Sequence, residues 1–199
     1  MMKCWVKRSA VFYGHNTKAR SRVLSELSEF KASIGLINPK SPSNVGAVMR
    51  AAGCYQAHDI FYTGERFKNA AKFHTDTQQA GLTIPLTHVD ELVSAVAEGM
   101  CIVCVELVEG AISLPEYQHP DKAFYIFGPE DGNVKQQIVD QADAVVYVPT
   151  IGCLNLAQTV NVVLYDRMVK SGLAQTGDAL IRSSRDVNNK VKVRGGNNM

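Results

Sequence analysis

The 199-residue sequence predicts an α/β domain built on a mostly parallel sheet with helices on both faces. Strand-like runs rich in Val, Ile, Phe and Tyr alternate with helical patterns after residue 33. The runs are also nearly continuous in apolar residues, as strands covered on both sides must be. Length supports the same reading: 199 residues, 46% of them hydrophobic, can bury one core without disulfides or metal.

Residues 1–33 read as a basic N-terminal extension carrying a helix over about 18–31. The central domain, residues 34–185, opens with the strand IGLIN (34–38), followed by a Ser/Pro loop and a helix over 44–53. HDIFYT (58–63), TIPLTH (83–88), MCIVCVEL (100–107), AFYIFG (123–128) and DAVVYVP (143–149) supply further strands. Helical spacing appears in VDELVSAVAEG (89–99) and VKQQIVDQA (134–142). It is strongest in LAQTVNVVLYDRMVKSG (156–172), where Gly172 stands at the C-terminal cap position. Residues 186–199, DVNNKVKVRGGNNM, read as a polar, basic and mobile tail.

No stretch approaches the ~18–20 uninterrupted apolar residues of a membrane span, and no signal-peptide pattern opens the chain, so a cytoplasmic location is expected. The five cysteines are an odd number among apolar neighbours, which favours thiols over a disulfide framework. Cys101 and Cys104 have CxxC spacing, but strand alternation sends positions three apart to opposite faces and no second pair completes a four-ligand set. No metal is expected.

Charge is uneven. Residues 1–22 carry +6 and residues 182–199 carry +4 of a net +2, which leaves −8 for residues 23–181. Basic ends of this kind suit the phosphate backbone of a nucleic acid, although solvated tails would look the same.

In open sheets ligands sit beyond the carboxyl ends of strands, so three strand exits carry the functional reading. The first, INPKSPSNVGAVMRAAG (37–53), places Asn44 at a helix start, where its side-chain oxygen would cap free amides, Gly46 where a backbone can approach, and Arg50 as a lone cation among small residues. Such an arginine is paired with a carboxylate, aimed at a phosphate, or simply on the surface. In the second, Gly128-Pro129-Glu130-Asp131-Gly132, the glycines allow a ligand close to the main chain and Glu130 offers an acceptor for a ligand amine or a partner for Arg50. The third, VYVPTIGCLNLAQTVNVVLYD (146–166), ends a strand at Pro149 and sets Asn155 at the head of the long helix, as a cap. The glycine fingerprints of dinucleotide folds and P-loops are absent.

Taken in order, Asn44-x-Gly46-x-x-x-Arg50, Gly128-Pro129-Glu130 and Pro149-x-x-Gly152-x-Leu154-Asn155-Leu156 resemble the three motifs of the SpoU/TrmH-type RNA 2′-O-ribose methyltransferases of the SPOUT superfamily, over roughly residues 34–170. The resemblance implies a pocket for S-adenosylmethionine formed by Val105, Gly128, Val148, Gly152, Leu154 and Asn155. It also implies a trefoil-knotted chain, which general topological rules alone would disfavour, and a homodimer. It places Arg50 at the ribose hydroxyl, where a guanidinium, which stays charged, stabilises the developing alkoxide and anchors the phosphate. Asn44 then orients Arg50 or the ribose, and Glu130 holds Arg50 in place.

Three features depart from the family pattern, one of them the basic N-terminal extension, which is not part of the family's core. Only Asp131 separates Glu130 from the next glycine, where two residues are usual, and Cys153 stands where a serine is usual. The expected activity is 2′-O-methylation of RNA, with tRNA rather than rRNA as the expected substrate. The alternatives are a non-catalytic RNA-binding relative of the same fold and an α/β nucleotide-binding enzyme of another kind.

Overall fold

The computed structural model describes residues 30–71, 84–172 and 174–193. Seven strands form one sheet: β1 (Lys31–Leu36), β2 (Asp59–Tyr62), β3 (Leu86–His88), β4 (Cys101–Val105), β5 (Ile112–Ser113), β6 (Lys122–Phe127) and β7 (Ala144–Tyr147). Their order is β3-β2-β1-β6-β4-β7-β5, and every pairing is parallel. β1 and β6 lie side by side along their full six residues, Lys31 opposite Lys122 and Leu36 opposite Phe127, so their carboxyl ends finish level.

Apolar residues on both faces of these strands produce two cores. One face carries Ile34, Leu36, Val103, Val105, Tyr125 and Phe127. It is covered by α1 (Pro42–Cys54) through Val45 and Val48 and by α4 (Leu156–Ser171) through Val160, Val163 and Leu164. The other face carries Cys104, Phe124 and Ile126, covered by Leu92, Val134 and the short helix α3 (Gln136–Val139). The expected α/β class is therefore the observed one, with a sheet wholly parallel rather than mostly so.

Several elements differ from the sequence reading. The 89–99 segment forms only a 3-10 turn, Val93–Ala95. Its apolar residues still face the sheet, Leu92 buried and Val89 and Val96 packed beside it, but three valines in eight residues are poor helix formers. Helices α2 (Arg66–Ala71) and α5 (Asp178–Ser184) and the two-residue strand β5 lack a periodic signal long enough to read. The helix expected over 18–31 lies outside the described residues, except that Lys31 already stands in β1. Cys54, Cys104 and Cys153 are thiols, as expected; Cys101 is not, being disulfide-bonded.

Below the sheet's carboxyl edge, α4 is tied to β6 by a buried polar chain. Arg167 donates to the Tyr125 hydroxyl at 3.1 Å, Tyr125 lies 2.6 Å from His119 Nδ1, and His119 Nε2 lies 2.8 Å from Asp166, which also binds Lys170 at 2.7 Å. A neutral imidazole satisfies every partner: Nδ1 accepts from Tyr125 while Nε2–H donates to Asp166. Burial, outweighing the Asp166 hydrogen bond and helped by Arg167 and Lys170, lowers the His119 pKa from 6.5 to about 4.

Because the unfolded chain binds the proton more readily than the folded one between those values, stability falls as pH drops from about 6.5 towards 4. The expected slope is up to about 1.4 kcal/mol per pH unit. Urea denaturation at pH 6.5 and pH 5 should show a loss of about 2 kcal/mol that His119→Gln lacks. Equal pH dependence in both proteins would refute the assignment.

Candidate functional site

Four strands, β1, β4, β6 and β7, deliver their exits to one end of the sheet. The loop after β1 turns into α1 at Pro42, a residue suited to the first helical position, with Ser41 as N-cap: its Oγ accepts the Asn44 amide at 3.3 Å. Asn44 is therefore not the cap, contrary to the sequence expectation. Its side chain is free for longer-range work. Nδ2 donates to Glu130 Oε1 at 2.9 Å, and Oδ1 accepts from Asn155 Nδ2 at 3.0 Å.

Asn155 does cap its helix, as expected, with Oδ1 accepting the Ala157 and Gln158 amides at 2.9 and 3.4 Å. Asn44, Glu130 and Asn155 thus form one hydrogen-bonded chain joining the loops after β1, β6 and β7. Residues 86 and 111 positions apart in sequence are fixed within one contact of each other.

Glu130 also accepts the Lys40 and Ser41 amides at 2.8 and 3.1 Å. Burial pushes its pKa up, but the hydrogen bonds from Asn44 and from the Lys40 and Ser41 backbone prevail, so the net shift is downward. Its cationic neighbour is Arg66, 3.8 Å away, and not Arg50. The reason is geometric: Arg50 lies six residues beyond Asn44 on α1, about 9 Å further along the axis and on another face. Arg50 is exposed and makes no ion pair or hydrogen bond among the described residues.

Arg66 had no signal in the sequence. It pins the shortened Gly-Pro-Glu turn by binding Asp131 at 2.8 Å, with Lys40 adding a second contact at 3.4 Å. The Arg66 hydrogen bond is the main reason that the Asp131 pKa is lowered.

Beside this chain of contacts lies a cavity of about 280 Å³, near the lower end of the ~300–1,000 Å³ of small-molecule sites. Val105, Gly128, Val148 and Leu154, four of the residues that the resemblance assigns to a cofactor pocket, line it. Gly152 and Asn155 do not, although their neighbours Cys153, Leu154 and Leu156 do. Gly152 instead shapes the loop: its φ of 101° is strained for residues with a side chain, and its carbonyl accepts from Thr150 at 2.8 Å.

A lining residue absent from the sequence reading is Glu106, the first residue after β4. It explains Gly128 directly, since a Cβ there would stand 3.0 Å from Glu106 Oε2. Among the described residues the cavity wall contains two carboxylates and no Lys, Arg or His.

Cys153→Ser should be tolerated, because the side chain is exposed at the cavity and the hydroxyl is nearly isosteric with the thiol. Thermal melting and ligand titration check this; a drop in Tm of more than a few degrees would show that the loop requires the thiol. Among the described residues no group of three His, Cys, Asp or Glu could hold a metal ion, and no helix is long and apolar enough to cross a membrane.

Comparison with known proteins agrees with this fold. No curated protein matches the sequence. Among solved structures, the SpoU methyltransferase AviRb from Streptomyces viridochromogenes, in complex with AdoMet, superposes with a TM-score of 0.58 at 18% identity, covering 69% of this chain and 57% of that one. The A. aeolicus TrmH/SpoU tRNA modifying enzyme gives 0.58 at 19% identity, covering 76% and 83%. A structure concerned with 2-OH methylation of C/U34 on tRNA gives 0.60 at 20% identity, covering 71% and 91%. The chain thus spans little more than half the length of AviRb, and at these identities the likeness concerns the fold. The SpoU rRNA methylase family model matches residues 31–165, which take in all three strand exits. With that match running over more than half of its length, the chain belongs to the SpoU rRNA methylase family.

Proposed function

We propose that the protein is an S-adenosylmethionine-dependent RNA methyltransferase that methylates a ribose 2′-hydroxyl, with tRNA rather than rRNA as the expected substrate. The observation that carries this reading is the Asn44–Glu130–Asn155 chain, which locks three loops of separate motifs together beside the cavity.

The residues present fit the cofactor. Val105, Phe127, Val148, Leu154 and Leu156 offer apolar surface for an adenine, the main chain at Gly128 lies open to it, and a wall that includes Glu106 and Glu130 suits a ligand that carries positive charge. When bound, the cofactor supplies an electrophilic methyl group on a sulfonium. The protein supplies position and charge. Arg50, exposed and unpaired, holds an RNA phosphate and offsets charge on the ribose oxygen as its proton passes to solvent water and the methyl moves from the sulfonium to that oxygen. Asn44 and Glu130 act through the loop geometry: they fix the start of α1, the helix that carries Arg50.

The homodimer belongs to the same proposal. Val162, Tyr165 and Val169 leave an exposed apolar stripe at helical spacing along α4, of the kind a second subunit covers. The trefoil knot and a cytoplasmic location are part of the same reading. Calorimetric titration with S-adenosylhomocysteine, followed by transfer of labelled methyl to total tRNA and rRNA with the product mapped at nucleotide resolution, tests it. Cofactor binding without transfer to either RNA would defeat the catalytic reading, and absence of binding would favour the non-catalytic relative.

A further inference from the structure

Glu106 is the cavity residue that neither the motifs nor the proposed chemistry absorbs. It is held rigidly: Oε1 accepts the Leu107 amide and Oε2 the Val134 amide, each at 2.9 Å. Those two bonds use about half of the acceptor capacity of a carboxylate, which leaves lone pairs for a ligand.

The two acidic residues of the wall differ in how their charge is met. Glu130 turns its oxygens to α1, takes three hydrogen bonds there and lies 3.8 Å from the Arg66 guanidinium. Glu106 makes no ion pair among the described residues. Since no Lys, Arg or His among the described residues lines the cavity, its negative charge is the uncompensated one there. Gly128 gives it room, because any larger residue would press on Oε2.

Resting on the function proposed above, we propose that Glu106 is a cofactor-recognising residue whose carboxylate makes the cavity prefer the sulfonium cofactor to its demethylated product. S-adenosylmethionine and S-adenosylhomocysteine differ by one methyl and one positive charge at sulfur. A fixed carboxylate in a cleft partly screened from water favours the charged ligand and releases the neutral-sulfur product. Shape alone discriminates weakly between ligands that differ by a single methyl.

The test is calorimetric titration of wild type, Glu106→Gln and Glu106→Asp with S-adenosylmethionine, S-adenosylhomocysteine and sinefungin, in which a protonated amine replaces the sulfonium. In Glu106→Gln, affinity for S-adenosylmethionine and sinefungin should fall about tenfold, equivalent to about 1.4 kcal/mol, and affinity for S-adenosylhomocysteine by less than about threefold. Glu106→Asp keeps the charge and should keep the preference, even if the Val134 contact loosens. Parallel changes for all three ligands in Glu106→Gln, no change for any, or an Asp variant that loses the preference as the Gln variant does would overturn the proposal and leave Glu106 as a brace between two loops. Failure of the wild-type protein to bind any of the three would instead overturn the proposed function, and this inference with it.

Discussion

Replacing Arg167 with alanine is expected to destabilise the protein by about 3–5 kcal/mol, the largest loss of any single substitution considered. Arg167 is only 3% exposed, on the inner face of α4. It donates to the carbonyls of Pro120, Asp121 and Lys31 at 2.6, 2.6 and 3.1 Å, as well as to Tyr125, and its guanidinium lies 4.0 Å from the centre of the Phe30 ring. One planar cation thus ties α4 to the starts of both central strands. Alanine would leave those acceptors buried without a donor, each costing about 1–3 kcal/mol unless water enters.

For a chain of this size the loss corresponds to a fall in Tm of roughly 6–20 °C. Lysine should recover only part of it, since an ammonium cannot present the planar fork that meets several carbonyls at once. Differential scanning calorimetry of the three proteins decides the matter: an Arg167→Ala protein melting within about 2 °C of wild type would show that the network adds nothing to stability.

Arg167 also shows where sequence reading stops. Its partners are main-chain carbonyls from two distant strand starts, and a carbonyl leaves no trace in residue identity. His119, Tyr125 and Asp166 are ordinary residues of a loop, a strand and a helix until the fold brings them together. Runs of β-branched and aromatic residues, by contrast, marked β1, β2, β4, β6 and β7 to within a few residues, because burial on both faces demands a continuous apolar strand.

The site divides the same way. Asn44, Glu130 and Asn155 were legible because each stands at a strand exit, the place where an open sheet binds ligands. Arg66 and Glu106 were not, because their importance comes from contacts made 65 and 28 residues away. The pairing of Glu130 with Arg50 failed for a related reason: a lone cation and a strand-exit carboxylate match by charge, but the rise of α1 carries Arg50 away, and Arg66 approaches from β2's side of the sheet instead.

That failure sharpens what Arg50 does. An arginine paired with Glu130 would be a structural residue, and its removal would loosen the site. As it stands, Arg50 is exposed, with no ion pair or hydrogen bond among the described residues, so Arg50→Ala should leave Tm and cofactor affinity within error of wild type. Methyl transfer should nevertheless fall by ~10² or more, the loss seen when a donor to a developing oxyanion is removed. If Arg50 also holds a phosphate, RNA affinity should weaken, and the slope of log K against log salt should flatten by about 0.7–0.9. On the proposed function, Arg50→Lys separates the two roles: a point charge retains much of the phosphate contact and salt slope, while the guanidinium proposed to act at the ribose oxygen is lost. Single-turnover transfer rates beside RNA titrations at several salt concentrations measure both quantities. An Arg50→Ala protein with unaltered transfer would remove Arg50 from the chemistry. A loss of transfer accompanied by a matching loss of cofactor affinity would place it in the cavity wall, from which the observed lining excludes it.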